Sequence, residues 1–289
     1  MLEILRELCT LDAVSGDEAA VRDYIINKIK NHCEYKIDPL GSIIAFKKGK
    51  KTPAKKVMLD AHMDEVGLII TYITDDGFLK FSAVGGIDTS VLMFRRVKVN
   101  GINGVISGKP IHLISADERK KLPDPHSLYI DIGASSKEEA LKLVSPGDRA
   151  VICGEYTDAG DRIKSKALDD RIGCAVLISM LLKEAEYDFY AVFSVQEEVG
   201  LRGAKAAAYT VAPDAAIVLE GTTAADIAGV EPSRRVCVLG GGPAVSFMDR
   251  ATVYDKAYYN AALKSGITCQ PKAAVAGGNN SGAVHTSRG

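Results

Sequence analysis

The run Phe189-Tyr190-Ala191-Val192-Phe193-Ser194 constrains this chain most. It is aromatic and β-branched, holds no glycine or proline, and is followed at once by Val195-Gln196-Glu197-Glu198-Val199-Gly200. Such a run predicts a buried strand. A buried strand that releases two acids delivers carboxylates to the carboxyl edge of a sheet, where open α/β sheets bind their ligands. Taken alone, a Glu-Glu doublet is a solvated loop. Its meaning depends on what else ends at the same edge.

Two further segments end the same way. Val57-Met58-Leu59-Asp60-Ala61-His62 follows a Lys-Lys pair and runs into Asp64 and Glu65, and Ala215-Ala216-Ile217-Val218-Leu219 ends in Glu220. Asp169-Asp170 opens a helical pattern that reaches Lys183, and the glycine-rich stretch 276–282 leads to His285. If the sheet is parallel, these groups converge. Crowded carboxylates repel unless cations separate them. A His and carboxylate set without cysteine suits Zn²⁺, Co²⁺ or Mn²⁺, and two nearby ions are commonly bridged by one carboxylate. His62 and Asp64 share a strand face, so Asp64 is placed to orient the imidazole. Glu197 and Glu198 point to opposite sides if the chain stays extended, one toward metal and the other toward proton transfer. Each member also has a plain structural reading: Asp169 or Asp170 as a helix N-cap, His62 as a hydrogen-bonded core residue, Glu220 as a turn cap, His285 as part of a frayed end. Their joint placement favours a site.

Around this frame the texture changes twice. Residues 1–65 read as the first part of an α/β domain, with an amphipathic helix over 1–11 and a second opened by a Ser15/Glu18 capping box. Residues 66–155 carry hairpin signals, including Asp75-Asp76-Gly77 and Asn100-Gly101, and read as a β-rich insert resembling a small barrel; a solvated loop is expected at 117–121. Residues 156–289 return to α/β alternation, with a late helix from Asp255 to Lys264. The expected fold is α/β, a mixed and mostly parallel sheet flanked by helices, with that insert.

Bulk properties narrow the function classes. A net charge of −1 without a basic stripe argues against nucleic acid as partner. The 6 cysteines lack paired metal or redox spacings. The longest apolar run, Gly173 to Leu182, is too short to span a bilayer, and the N-terminus is no signal peptide, so a cytoplasmic location is expected. Gly240-Gly241-Gly242 lacks the spacing of a phosphate loop, and neither Ser246 nor Ser281 sits in a nucleophile elbow.

Four ordered motifs carry a family resemblance: Ala61-His62-Met63-Asp64-Glu65-Val66-Gly67, Lys166-Ala167-Leu168-Asp169-Asp170-Arg171, Gln196 to Ala204, and Ala276-Gly277-Gly278 with His285. Together they resemble the dinuclear-metal aminopeptidases that assemble into tetrahedral dodecamers, glutamyl and leucyl aminopeptidase-like proteins sometimes labelled endoglucanases. The resemblance implies two divalent ions per subunit, bridged by Asp169, with His62 and Glu220 completing one site and Glu198 and His285 the other. It implies Glu197 as general base and Asp64 as the partner of His62. It further implies short peptides with a free N-terminus as substrates, a homo-oligomer from dimer to dodecamer, and an insert that assists assembly and frames access. Family members more often carry Asp where Glu220 stands, and they continue for some tens of residues past the last histidine. Alternatives kept open are a metal-dependent deacylase of N-acyl amino acids, a two-carboxylate glycosidase, and a catalytically inactive truncated subunit or scaffold.

Overall fold

A computed structural model describes residues 1–117, 120, 124–275 and 277–288. Glu118, Arg119 and Lys121 of the polar loop, and Ala276 of the glycine-rich motif, lie outside the described residues. In chain order the first elements are α1 (Leu2–Thr10), α2 (Ala19–Ile29), β1 (Glu34–Ile37), β2 (Ile43–Lys47) and β3 (Val57–His62). Next come β4 (Gly67–Ile73), β5 (Leu79–Val84), β6 (Arg96–Val99), β7 (Ile102–Ser107), β8 (Tyr129–Asp131), α3 (Lys137–Leu141) and β9 (Arg149–Ile152). A short hairpin, β10 (Thr157–Asp158) and β11 (Ile163–Lys164), leads to α4 (Leu168–Leu181), β12 (Phe189–Ser194), α5 (Arg202–Val211) and β13 (Ala215–Val218). The last elements are β14 (Ala244–Val245), α6 (Lys256–Leu263), β15 (Gln270–Pro271) and α7 (Ser281–Val284).

The main sheet has the order β1-β2-β12-β3-β13. The β12, β3 and β13 strands are parallel, while β1 and β2 run antiparallel, so the sheet is mixed. Alternation along the strands sends side chains to two cores. Leu59, Ala61, Ala191 and Phe193 face α1, α2 and α4, where Leu8, Ile25, Cys174 and Ile178 are fully buried. Met58 and Val192 face α5 and α7, packing on Ala204, Ala207, Ala208 and Val284. The result is a sheet covered on both sides, the arrangement that parallel strands require. Alanines on α5 let it lie close to the sheet. Gly203 sits where a Cβ would meet the backbone oxygen of Val195 at 2.4 Å.

Between β3 and α4 the chain closes a separate barrel, β4-β5-β8-β7-β6-β9, around Leu68, Ile70, Val97, Val99, Ile106 and Ile130. Glycine turns at Gly77 and Gly101, both with positive φ, close two of its hairpins. Among the described residues, no helix is long and apolar enough to cross a membrane.

Two local expectations need correction. Ser15 and Glu18 do not form a capping box: α2 starts at Ala19 without a side-chain cap. Ser15 Oγ instead donates to Asp64 Oδ2 at 2.6 Å, and Glu18 Oε1 accepts from the backbone of Gly16 at 2.7 Å and of Gln196 at 3.1 Å. Long-range partners claimed both side chains. The chain also leaves the extended form after β12, because Gln196 takes a left-handed φ of 55°. Glu197 and Glu198 therefore do not point to opposite sides.

Candidate metal centre and active site

Parallel neighbours bring three strand ends to one edge. Register pairs Ser194 with His62 and Val218 with Asp60, so the chain leaving β12 toward Glu197 and the chain leaving β13 toward Glu220 flank the end of β3. The fourth contribution comes from the start of α4. There Asp169 and Asp170, joined by a cis peptide bond, have non-helical backbone angles and diverge: Asp169 is exposed while Asp170 is buried.

His62 is the hub. Its side chain is buried, with Nδ1 3.0 Å from the backbone oxygen of Asp64 and 3.3 Å from Asp64 Oδ1. A proton on Nδ1 satisfies those acceptors and leaves the Nε2 lone pair facing outward. Nε2 lies 3.2 Å from Asp169 Oδ1 and 3.5 Å from Glu220 Oε1. Ligand atoms of His62, Asp169 and Glu220 lie within 4.8 Å of one another, and so do those of His62, Glu197 and Glu198. Of the residues singled out from sequence, the structure thus gathers His62, Asp64, Asp169, Glu197, Glu198 and Glu220. His285 is outside both groups: it follows α7, is exposed, and turns Nδ1 to the carbonyl of Ser281 at 2.7 Å.

Asp64 organises the ring from below. Its Oδ1 accepts the Glu197 N–H at 3.0 Å and its Oδ2 accepts the Glu198 N–H at 3.2 Å, beside the Ser15 hydroxyl. Burial works against its charge, yet the bonds from His62, Ser15 and Glu197 hold its carboxyl below the usual range. Asp170 accepts the backbone N–H of His62 at 3.2 Å and that of Gly173 at 3.0 Å, tying α4 to β3.

Three groups have supporting roles that the sequence alone did not reveal. Asp60 is fully buried on β3 and accepts from Asn280 Nδ2 at 2.7 Å, while Asn280 also reaches Ser194 Oγ at 2.9 Å, which anchors α7 to two strands. Glu65 Oε1 takes Lys166 Nζ at 2.6 Å, Arg171 at 3.3 Å and the Ala13 N–H at 3.1 Å. Arg171, fully buried, also donates to the Leu8 oxygen at 2.6 Å. A charged residue opening the apolar run 172–182, directly after Asp169-Asp170, was the available signal for Arg171.

The electrostatics describe a site short of positive charge. Burial pushes the Glu220 carboxyl up to about 8, with Asp169 and Glu197 adding to it against the pull of His62. Burial likewise pushes Glu197 up to about 7, reinforced by Glu198, Asp64 and Asp169. Glu198 also rises through burial. Burial pulls His62 down, but Asp169, Asp64 and Glu220 together outweigh it and raise the ring well above its ordinary value. Glu220 Oε2 is buried with no partner. Oxygen-rich, cysteine-free donors converging on an imidazole lone pair, with an orphaned carboxylate oxygen among them, fit a divalent cation.

Comparison with known proteins gives this geometry a family. The profile of the M42 glutamyl aminopeptidases matches residues 41–289. The chain belongs to the M42 aminopeptidase family. M42 enzymes are metal-dependent hydrolases of peptide bonds, in agreement with the donor set around His62. A putative aminopeptidase of Acetivibrio thermocellus is 42% identical over 296 residues, covering 100% of this chain and 87% of the relative. An aminopeptidase of the archaeon Desulfurococcus kamchatkensis superposes with a TM-score of 0.90 at 37% identity, covering 97% of this chain and 81% of that one. A TET1 peptidase of Pyrococcus horikoshii, described as able to assemble into a tetrahedron or a large octahedral shell, gives 0.84 at 34% identity over 98% of this chain and 86% of that one.

Proposed function

We propose that this M42 chain removes the N-terminal residue from short peptides, using two divalent ions, Zn²⁺, Co²⁺ or Mn²⁺, and Glu197 as general base. The observation that carries the reading is the convergence of Asp169 and Glu220 on His62 Nε2, with Glu197 and Glu198 on the same ring. Asp169 would be the shared ligand, His62 and Glu220 would complete one set, and Glu198 with His285 would complete the other. The Nδ1 bond to the Ser281 carbonyl leaves His285 Nε2 as its ligand atom, and for that role the ring must come closer to the acids than it stands here.

Bound there, the ions supply Lewis acidity, which acidifies water and polarises a scissile carbonyl. The chain's own residues do the rest. Glu197 accepts a proton from the attacking water on a carboxylate oxygen and delivers it to the departing amine nitrogen. A carboxyl raised toward neutrality is matched to both transfers. Asp64 fixes the tautomer of His62 and, through two backbone bonds, the place of Glu197 and Glu198. The free substrate amine binds at the carboxylate end of the cleft, which restricts action to the first residue.

The same reading makes the protein a cytoplasmic homo-oligomer between dimer and dodecamer, with the barrel formed by 66–155 serving assembly and framing access. The shell-forming M42 relative supports the oligomer alone. The test of the catalytic assignment is Glu197→Gln. It should bind metal as the parent does and lose turnover by about 10²- to 10⁴-fold. Near-normal turnover overturns the assignment.

A further inference from the structure

A cleft of about 850 Å³ opens from the carboxylate cluster toward the barrel. Its inner end is Asp169 and Glu198, and its outer wall includes Phe94, Arg95, Arg96 and Lys164. Volume of this order accommodates a short peptide rather than a single residue. The charge along it is graded. Arg95, Arg96 and Lys164 are all exposed, with Glu155 as the one acid beside them on that wall. Arg96 meets Glu155 at 3.1 Å. Lys166 also lines the cleft but is committed to Glu65 at 2.6 Å and Asp12 at 3.1 Å. The outer wall therefore keeps an excess of positive charge facing an acidic inner end.

The backbone here is unusual. Phe94 has φ 66°, a conformation that bulky side chains rarely adopt, and is 73% exposed. Its N–H is held by the Ile106 carbonyl at 2.9 Å, and Arg95 Nε by the Val91 carbonyl at 2.9 Å. Phe94 is held out of the barrel core and lines the same cleft as its sequence neighbours Arg95 and Arg96, so the wall offers an apolar face together with guanidinium groups that can bind a carboxylate.

We propose that Phe94, Arg95, Arg96 and Lys164 form a subsite for a carboxylate on the C-terminal side of the scissile bond. A substrate lying along the cleft has its amine at the acidic end and its downstream residues on this wall. The side of the bond is assigned on the aminopeptidase reading given above. The carboxylate is either the C-terminus of a di- or tripeptide or an acidic side chain, and both present the same two oxygens to the arginines.

The test measures binding separately from turnover. Full-length, Zn²⁺-loaded protein is titrated calorimetrically with a reduced-amide peptide, Leu-ψ(CH₂NH)-Ala-Ala, as free acid and as C-terminal amide. A third probe carries Glu in place of the first Ala and ends in an amide. The acid should bind about five- to tenfold more tightly than the amide, the scale of a solvent-accessible charged pair. In the Arg95→Gln/Arg96→Gln double variant the ratio should fall toward one, and the Lys/Lys double variant should keep it. Recovery of affinity by the Glu probe supports a side-chain source; preference for the free acid alone supports a terminal one. Equal affinity of all three probes, a ratio that survives the Gln variant, or no binding of any probe overturns the subsite. Hydrolysis of ordinary Leu-Ala-Ala is followed in parallel. Discrimination without cleavage keeps the subsite and removes the peptidase reading, and cleavage without discrimination does the reverse.

Discussion

Glu197 donates its backbone N–H to Asp64 Oδ1 at 3.0 Å, so the group assigned to proton transfer hangs from the carboxylate that faces His62. The strand end of β3 and the turn after β12 are thereby one unit. Moving Asp64 moves both the ring and the base.

Asp64→Asn tests that unit. Whichever way the amide turns, its NH₂ meets a donor: the Glu197 or Glu198 N–H, the Ser15 hydroxyl or the His62 ring. Leaving buried donors unpaired costs about 1–3 kcal/mol. Loss of the ring's orienting partner should weaken metal binding by about 10- to 100-fold. Thermal unfolding and metal titration read the two effects separately. A variant with parental metal affinity contradicts the role of Asp64.

Metal uptake should release protons and strengthen as pH rises. Without metal, Glu197 titrates near 7 and Glu220 near 8 through burial, both above the ordinary Glu value. In the folded chain these groups hold protons that the unfolded chain has released, between about pH 4.5 and 8. The raised His62 acts in the same direction above its ordinary value. More protons bound to the folded state means that stability falls as pH increases through that window. Metal-free protein should therefore lose melting temperature from pH 5 to 8, and metal-loaded protein should lose less. Calorimetry of metal binding in buffers of different ionisation enthalpy counts the displaced protons. A pH-independent affinity contradicts the crowded-carboxylate account.

Arg171→Ala should be among the costliest substitutions outside the ligands. The guanidinium is fully buried, and its removal strips a donor from the Leu8 carbonyl and from Glu65. Breaking a buried ion pair from one side costs about 3–5 kcal/mol. Lys166 still reaches Glu65, which favours the lower end of that range. Denaturant unfolding measures it, and a change under about 1 kcal/mol would show the network to be dispensable.

Gly203→Ala should disturb the site from behind. The added Cβ meets Val195 backbone atoms at 2.4 and 2.5 Å, and backbone cannot swing aside. Either α5 retreats from the sheet or the segment carrying Glu197 and Glu198 shifts, at about 1–3 kcal/mol. Reduced metal affinity accompanying the lost stability identifies the second outcome. Unchanged stability contradicts the close approach.

Much of the frame was readable in the sequence because each of three apolar runs is followed by a side chain that a core does not hold alone. His62, Glu197 and Glu220 stood out for that reason. The left-handed turn at Gln196 did not, since no glycine or asparagine marks it, and it alone decides that Glu197 and Glu198 share a target. Ser15 and Glu18 satisfied a local capping pattern and were taken by partners on other segments. The β1 strand was missed because it is only four residues long: Glu34-Tyr35-Lys36-Ile37 alternates polar and apolar, but too briefly to stand out, and all four residues are exposed. Asp60 and Asn280 are separated by 220 positions, and only the fold makes them a pair.

The most direct measurement is amino-acid release from short peptides with free or acetylated N-termini, using chelator-stripped protein before and after addition of Zn²⁺, Co²⁺ or Mn²⁺. The account predicts no release from stripped protein, recovery with metal, and cleavage of the free-amine peptides alone. Release that survives chelation, equal cleavage of acetylated peptides, or silence from folded, metal-loaded protein would contradict it.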